Sequence, residues 1–318
     1  MPLTIISLGS CLLFVSCSGA GSSGKSSGAA PAPASRQPSA QSNVEKQRQN
    51  AEQQARPEVE QQRKEAQEQT EKTLDKEAIE AINQTQKAIN AIAANKTDEA
   101  LSAIEQATGK INILLARNPA TALIPVSLEV DVIDAAPHDI QAIRDVAKDA
   151  SRAVDDKNFP AARVLLYSLM SEIRVRTYNV PLATYPTALT DAARMLDQKK
   201  TGDANNILLT ALNTLAVIDR ATPLPLILAR EAVNTAQAQS QKDKASAQTL
   251  LETAKKEVER SKELGYAGKD QEYAALNTDI NNLEKQLKGN GDVGAVFAKL
   301  KDRLGAFLKR QSSEQKSS

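Results

Sequence analysis

The chain has 318 residues, and its 40 Lys and Arg side chains nearly balance its 39 Asp and Glu side chains. This balance provides no overall positive field to attract nucleic acid or an anionic membrane, so no nucleic-acid partner is expected. One histidine and two cysteines are too few ligands for a zinc site, and neither a metal nor a cofactor is expected.

The first predicted element is a leader over residues 1–17. An apolar run at 3–15 ends shortly before Cys17. The run is shorter than the roughly 20 residues that span a bilayer, but it fits the apolar part of a signal peptide. The pattern resembles a bacterial lipoprotein signal, in which the Cys17 sulfur carries lipid after cleavage. Because the first basic residue is Lys25, cleavage without lipid and retention of the leader stay open, and Cys11 is a second candidate for the lipid.

Two polar segments follow the leader. Residues 18–42 are rich in Ser, Gly, Ala and Pro and are typical of a disordered linker. Residues 43–74 are rich in Gln, Glu, Lys and Arg, which favours helix, although Pro57 interrupts the segment. Without an apolar stripe to dock it, this segment is predicted to be a solvent-exposed, partly helical stalk. A coiled coil with a partner is the alternative, but apolar a and d positions are lacking.

Residues 75–288 are predicted to form the folded domain, built from helical hairpins. In each hairpin, apolar residues at helical spacing flank a short polar turn. Such units cannot bury an apolar face alone and must pack on one another. The predicted hairpins have turns at residues 95–98, 155–158, 199–203 and 241–243, and their return helices cover 100–115, 161–173, 204–218 and 245–264.

One part of this domain is predicted to be a β-ribbon. Residues 125–134 alternate apolar and polar side chains, as a half-buried strand does. The expected antiparallel partner is 173–180, which would place Glu129 and Asp131 opposite the arginines Arg174 and Arg176. The fold class is therefore mainly α: a bundle of helical hairpins with a small two-stranded antiparallel ribbon.

Several segments between residues 75 and 287 resemble the YfdX family. The resemblance implies a mainly helical, exported bacterial protein from a family linked to envelope, acid or drug stress. It implies no catalytic residue, because the family has no agreed biochemical activity. The segments that carry it are Arg117-Asn118-Pro119-Ala120, Leu123-Ile124-Pro125-Val126, Val180-Pro181-Leu182-Ala183-Thr184-Tyr185-Pro186, Ala211-Leu212-Asn213-Thr214-Leu215, Pro223-Leu224-Pro225-Leu226 and Glu263-Leu264-Gly265-Tyr266.

The residue inventory argues against an enzyme. A Ser–His or Cys–His nucleophile would have to use His138, the single histidine. This residue precedes Asp139, a good N-cap, and is expected to lie at a helix start. No Gly-rich phosphate loop occurs. Carboxylate-only catalysis stays open, as acidic pairs cannot be located without a fold.

The candidate ligand-binding residues are Tyr178, Tyr185, Arg174 and Arg176. The two tyrosines lie among prolines beside the ribbon arginines. A tyrosine offers an apolar body with a polar tip, which suits small amphipathic ligands. The alternative is that both rings fill space between ribbon and helices.

Residues 289–318 are predicted to form a basic amphipathic helix and tail. Its apolar stripe includes Phe297, Leu300, Leu304 and Phe307, and basic residues cover the rest. Such a helix can lie on an anionic membrane or on a partner. Packing back onto its own domain is the alternative.

The leading hypothesis from the sequence is a non-catalytic, lipid-anchored, periplasm-facing protein of the cell envelope. It would act as a stress-associated, chaperone-like module that binds small amphipathic molecules or envelope proteins, and a homo-oligomer is compatible with it. The alternative is a structural adaptor that tethers membrane, cell wall or a partner protein.

Overall fold

The computed structural model of the protein describes residues 40–266, 270–289 and 293–313, with side chains from residue 53 to residue 311 within those ranges. The predicted leader and the linker up to residue 39 lie outside them. Contacts divide the chain into units 1–43 and 44–318, and the architecture below is that of residues 44–318.

The described part of the chain is mostly helical with one small antiparallel sheet, as predicted. The helices are α1 (Ala40–Glu71), α2 (Lys76–Ala93), α3 (Thr97–Arg117), α4 (Ile140–Asp155), α5 (Phe159–Tyr167), α6 (Tyr185–Asp197), α7 (Thr201–Asn213), α8 (Leu224–Gln239), α9 (Lys244–Glu263), α10 (Glu272–Lys288) and α11 (Gly294–Ser313). The strands are β1 (Leu123–Asp134), β2 (Ser171–Pro181) and β3 (Ala216–Pro223).

All four predicted hairpins are present, as α2–α3, α4–α5, α6–α7 and α8–α9. The first three turn at a residue with positive φ: Asn95 at 57°, Lys157 at 58° and Lys199 at 59°. The next N–H donates back to a carbonyl five residues earlier, as from Asn158 to Ala153 over 2.8 Å. This left-handed cap satisfies carbonyls at the helix end and reverses the chain. A strand follows each of these three hairpins, so a helix–helix–strand unit occurs three times.

The sheet has the order β1-β2-β3, and both pairings are antiparallel. Glu129 lies opposite Arg176 and Asp131 lies opposite Arg174, which is the predicted register. The third strand corrects the prediction of a two-stranded ribbon. The return helix predicted over residues 204–218 ends at Asn213, the last residue of α7. Pairing with β2, more than thirty residues earlier, stabilises β3, and local periodicity does not reveal such a partner.

Two apolar clusters form the core. The first joins α2, α3, α6 and α7 and includes Ile124 and Val180 from the sheet. The second joins α8 to α11 and includes Ile173 from β2. Because β2 contributes to both clusters, the sheet connects the two halves of the fold.

Helix α1 runs without a break through Pro57, which corrects the predicted interruption. Proline costs the helix one backbone hydrogen bond there. Ala55 is buried, Val59 packs on the second cluster and Glu58 pairs with Arg230 of α8. This part of the predicted stalk therefore lies against the domain instead of standing free in solvent. None of the described helices is both long and apolar enough to cross a membrane.

Candidate functional site

Three of the four predicted ligand-binding residues lie together on one face of the sheet. Arg174, Arg176 and Tyr178 are alternate residues of β2, so their side chains share a face. The flanking strands add Glu129 and Asp219, each opposite Arg176. We call this surface the polar sheet face.

The charges of the polar sheet face compensate one another. Arg176 donates from Nε and Nη2 to the two carboxylate oxygens of Asp219, over 2.8 and 2.9 Å. Hydrogen bonding to this guanidinium lowers the pKa of Asp219, and the same bond raises the pKa of Arg176. The Tyr178 hydroxyl donates to Glu129 over 3.1 Å, and Arg174 Nε donates to Glu172 over 2.8 Å. The predicted opposition of acid and base holds in register, but the side chains bond to other partners. The bonds of Arg176 and Tyr178 join β2 to its two neighbours, whereas the bond from Arg174 to Glu172 stays within β2.

Tyr185 lies elsewhere, at the start of α6. Its side chain is 2% exposed, and its hydroxyl donates to Thr85 of α2 over 2.8 Å. Burial raises the pKa of Tyr185 to about 12. The ring fills the core between α2 and α6, so Tyr185 does not join Arg174, Arg176 and Tyr178 on the polar sheet face.

A trough of about 510 Å³ runs over the outer side of α6 and α7. We call it the α6–α7 trough. Small side chains line most of it, so the helix surfaces leave space between them. Its lining residues are Ala183, Thr184, Tyr185, Thr187, Ala188, Asp191, Asn206, Ile207, Thr210, Ala211 and Thr214.

An apolar patch on the α4–α5 hairpin is a surface feature that was not predicted from the sequence. Helix α5 buries Ala162 and leaves most of its larger apolar side chains in solvent. A helix that is apolar around its circumference is normally buried on all sides. The sequence Phe159–Tyr167 has this composition, and it is the signal that could have revealed the patch. The α5 patch consists of Phe159 (55% exposed), Val164 (70%), Leu166 (50%) and Tyr167 (54%), with Val154 of α4 (46%) near the turn.

The C-terminal helix has no open apolar face. Phe297, Leu300, Leu304 and Phe307 are each at most 1% exposed and lie in the second cluster. Arg310 stacks over the Phe307 ring, and Arg303 pairs with Glu272 of α10. The hypothesis that this stripe lies on a membrane or partner is therefore wrong, and its packing alternative holds. The structural-adaptor alternative, which would use the stalk and this basic tail, therefore has no open apolar stripe on the tail to bind with.

A buried polar network fastens the sheet to α9. Arg260 is 1% exposed and donates to Asp134 at the end of β1 over 2.9 Å. Tyr266 accepts from the Ser171 N–H and donates to Glu172, both over 2.9 Å. Burial, reinforced by the Glu172 carboxylate, raises the pKa of Tyr266. The network anchors the fold, and no cluster of metal-ligating side chains occurs in the described ranges.

Part of the chain is similar to a known protein family. Residues 81–221 match the model of a family described as "YfdX protein". The match runs from α2 to the end of β3, so it covers the three helix–helix–strand units and stops short of the predicted limit at residue 287. A solved structure of YfdX from Salmonella Typhi shares 15% identity, covers 48% of this chain and 93% of that chain, and has a TM-score of 0.32. A search of curated proteins finds no match.

Proposed function

We propose that the protein, whose residues 81–221 match the YfdX family model, is a non-catalytic, chaperone-like binding module of the bacterial cell envelope. In this proposal it holds apolar segments of other proteins on the α5 patch during envelope stress. A lipid on Cys17 tethers it to a membrane, facing the periplasm. The family supplies no residue roles, so the proposal depends on the surface.

The single observation that carries the proposal is the exposure of the α5 patch. Fully burying one large apolar side chain is worth about 1.5–3 kcal/mol, and this hairpin leaves several half exposed or more. Several large apolar side chains exposed on one short helix are the kind of surface that marks an interaction site. Apolar contact is insensitive to the details of sequence, which suits many different unfolded segments.

Charged residues on α4 and in the α4–α5 turn support a protein-binding role for the α5 patch. Helix α4 carries exposed Arg152 and Asp149, paired over 3.0 Å, and the turn carries exposed Asp156 and Lys157. A polar rim around an apolar centre is the usual arrangement of protein-binding surfaces.

The test is suppression of the aggregation of reduced insulin by the purified chain. The change is Val164→Ser with Leu166→Ser, two exposed positions whose replacement leaves the core intact. We expect the wild-type chain to suppress light scattering and the double variant to need several-fold more protein for the same effect. We expect this because the two substitutions remove exposed apolar area from the α5 patch.

The matched control is Ile113→Ser with Val217→Ser, which removes two apolar side chains of similar exposure outside the hairpin. It should suppress aggregation as the wild type does. Circular dichroism checks that every variant is folded. A wild-type chain that fails to suppress aggregation, or equal loss in both double variants, contradicts the proposal.

A further inference from the structure

We propose that α5 of one copy docks into the α6–α7 trough of a second copy. The proposal concerns self-assembly and does not depend on the proposed function. Both surfaces lie within the described part of one chain, and their side chains differ in size. One is a protruding row of large apolar side chains, and the other is an empty space lined by small ones.

The trough has the shape of a helix-binding groove. On α6 its lining recurs at Thr184, Thr187, Ala188 and Asp191, which is one face of a helix. Helix α7 runs antiparallel beside it and adds a second face. At 1.5 Å per residue, the α6 lining extends over about 10 Å. Helix α5 has nine residues and a length of about 13 Å, so the two are of similar length.

Side-chain sizes also correspond. Phe159, Leu166 and Tyr167 lie on one stripe of α5, at spacings of seven and eight residues. Alanine and threonine on the trough leave depressions where such side chains can insert, and close packing of this kind is what stabilises helix contacts.

The fold contains an internal precedent for this contact. The α2–α3 hairpin packs on the α6–α7 hairpin through alanine-rich faces, in which Ala88, Ala103 and Ala192 are fully buried. The trough lies where a further helix can continue the same stacking.

Charge decides between the possible self-contacts. Arg163 lies on the same stripe as Phe159 and Tyr167, is exposed, and makes no ion pair with any described residue. Two α5 helices packed on each other would bring two copies of Arg163 together, at a cost in energy. The trough instead contains the carboxylate of Asp191, whose Oδ1 accepts from Arg194 over 2.6 Å while the second oxygen has lone pairs left. The arrangement favours Arg163 of one copy beside Asp191 of the other.

Each copy carries one α5 and one trough, so a dimer can form the contact twice. Two-fold related contacts close the assembly and double the buried area, whereas a single repeated contact produces an open chain. We expect the closed dimer.

Light scattering after size exclusion, over a concentration series, tests the proposal. The chain carries Cys11→Ser and Cys17→Ser so that neither lipid nor disulfide contributes. Arg163→Asp and Asp191→Arg should each weaken dimerisation by about tenfold or more. The double variant Arg163→Asp with Asp191→Arg should restore it, since the charges are exchanged. Lys148→Asp, an exposed change on α4, is the control and should leave dimerisation unchanged.

A cross-linking experiment locates the contact independently. One preparation carries Leu166→Cys and the other carries Thr210→Cys, in the same cysteine-free background. Oxidation of the mixture should produce mainly the mixed disulfide between the two chains. A chain that stays monomeric throughout, a charge exchange that restores nothing, or a predominance of Leu166→Cys homodimers overturns the proposal. A monomer that still suppresses insulin aggregation overturns the assembly alone and leaves the proposed function standing.

Discussion

Buried tyrosine hydroxyls show most clearly how single residues hold this fold together. Tyr185 joins α6 to Thr85 of α2, and Tyr273 shares a hydrogen bond with Ser261 of α9 over 2.9 Å. Burial raises the pKa of each to about 12, because the phenolate loses its hydration there. The sequence predicted a functional tyrosine at residue 185, but only the packing of two distant helices shows that it is part of the core.

Tyr185→Phe should change both the stability and its pH dependence. Loss of the bond to Thr85 lowers the free energy of unfolding by about 1 kcal/mol near neutral pH. The pKa of Tyr185 is about 12 in the folded chain and about 10 in the unfolded chain. Its contribution is therefore complete below about pH 10 and is lost, at about 1.4 kcal/mol per unit, as the pH rises to about 12. Urea unfolding at several pH values measures this.

The variant should thus lose less stability than the wild type over this alkaline range. The control is Thr85→Val, which removes the same hydrogen bond but leaves the tyrosine to titrate. It should be destabilised at neutral pH and keep the alkaline slope. Equal slopes in the wild type and in Tyr185→Phe would contradict the assignment.

Among the elements, the hairpins were predictable and the sheet was only partly so. A polar turn between two apolar helical patterns depends on neighbouring residues, and all four hairpins are confirmed. Strand β3 was not predicted, because it depends on a distant partner. The end of α5 at Tyr167 was not predicted either, because the return helix was expected to continue to Ile173. Periodicity identified the apolar face of α11 correctly, but it could not show whether the chain itself covers that face.

The candidate site was also predicted in part. The strand register placed Arg174, Arg176 and Tyr178 on one face, because alternation along a strand fixes the face. The bidentate partner of Arg176 is Asp219, on the strand that was missed. The apolar composition of α5 is visible in the sequence, but its exposure depends on which elements fail to pack against it, and only the structure shows that.

The left-handed turn residues lead to a prediction at this scale. Lys157 has a φ of 58°, which costs an ordinary side chain about 1–2 kcal/mol. Lys157→Gly should raise the free energy of unfolding by about 0.5–1 kcal/mol, as glycine accepts this conformation; the related end of α9 already has Gly265, with φ 86°. Thermal and urea unfolding measure the gain.

The neighbouring residue supplies the control. Asp156 has a φ of −76°, which any residue adopts readily. Asp156→Gly should lower stability by about 0.5–1 kcal/mol, since glycine adds only freedom to the unfolded chain. If both substitutions shift stability in the same direction, the strain at Lys157 is not what limits the hairpin.

At the scale of the whole molecule, the α5 patch is proposed both to bind unfolded proteins and to dock into the α6–α7 trough of a second copy. A dimer that buries α5 in the trough also covers the patch proposed for unfolded proteins. Assembly and client binding then compete, and the protein is most active as a binder when dilute. The proposed tether on Cys17 would matter in this respect, because attachment to a surface sets the local concentration of copies.

Mass spectrometry of the protein from its membrane fraction tests the tether. We expect residues 1–16 to be absent and Cys17 to carry the mass of a diacylglycerol. Cys17→Ser should move the protein to the soluble fraction, whereas Cys11→Ser should change nothing. An unmodified Cys17, or a retained leader, contradicts the tether.

The burial of α11 has a consequence for how the molecule is made. Val293 to Leu308 complete the second cluster, so the apolar faces of α8 and α10 stay uncovered until α11 has been synthesised. The first cluster requires nothing beyond α7 and the sheet. A chain cut short before α11 therefore keeps a finished half and an unfinished one, and proteases that recognise exposed apolar segments can distinguish it from a chain that includes α11.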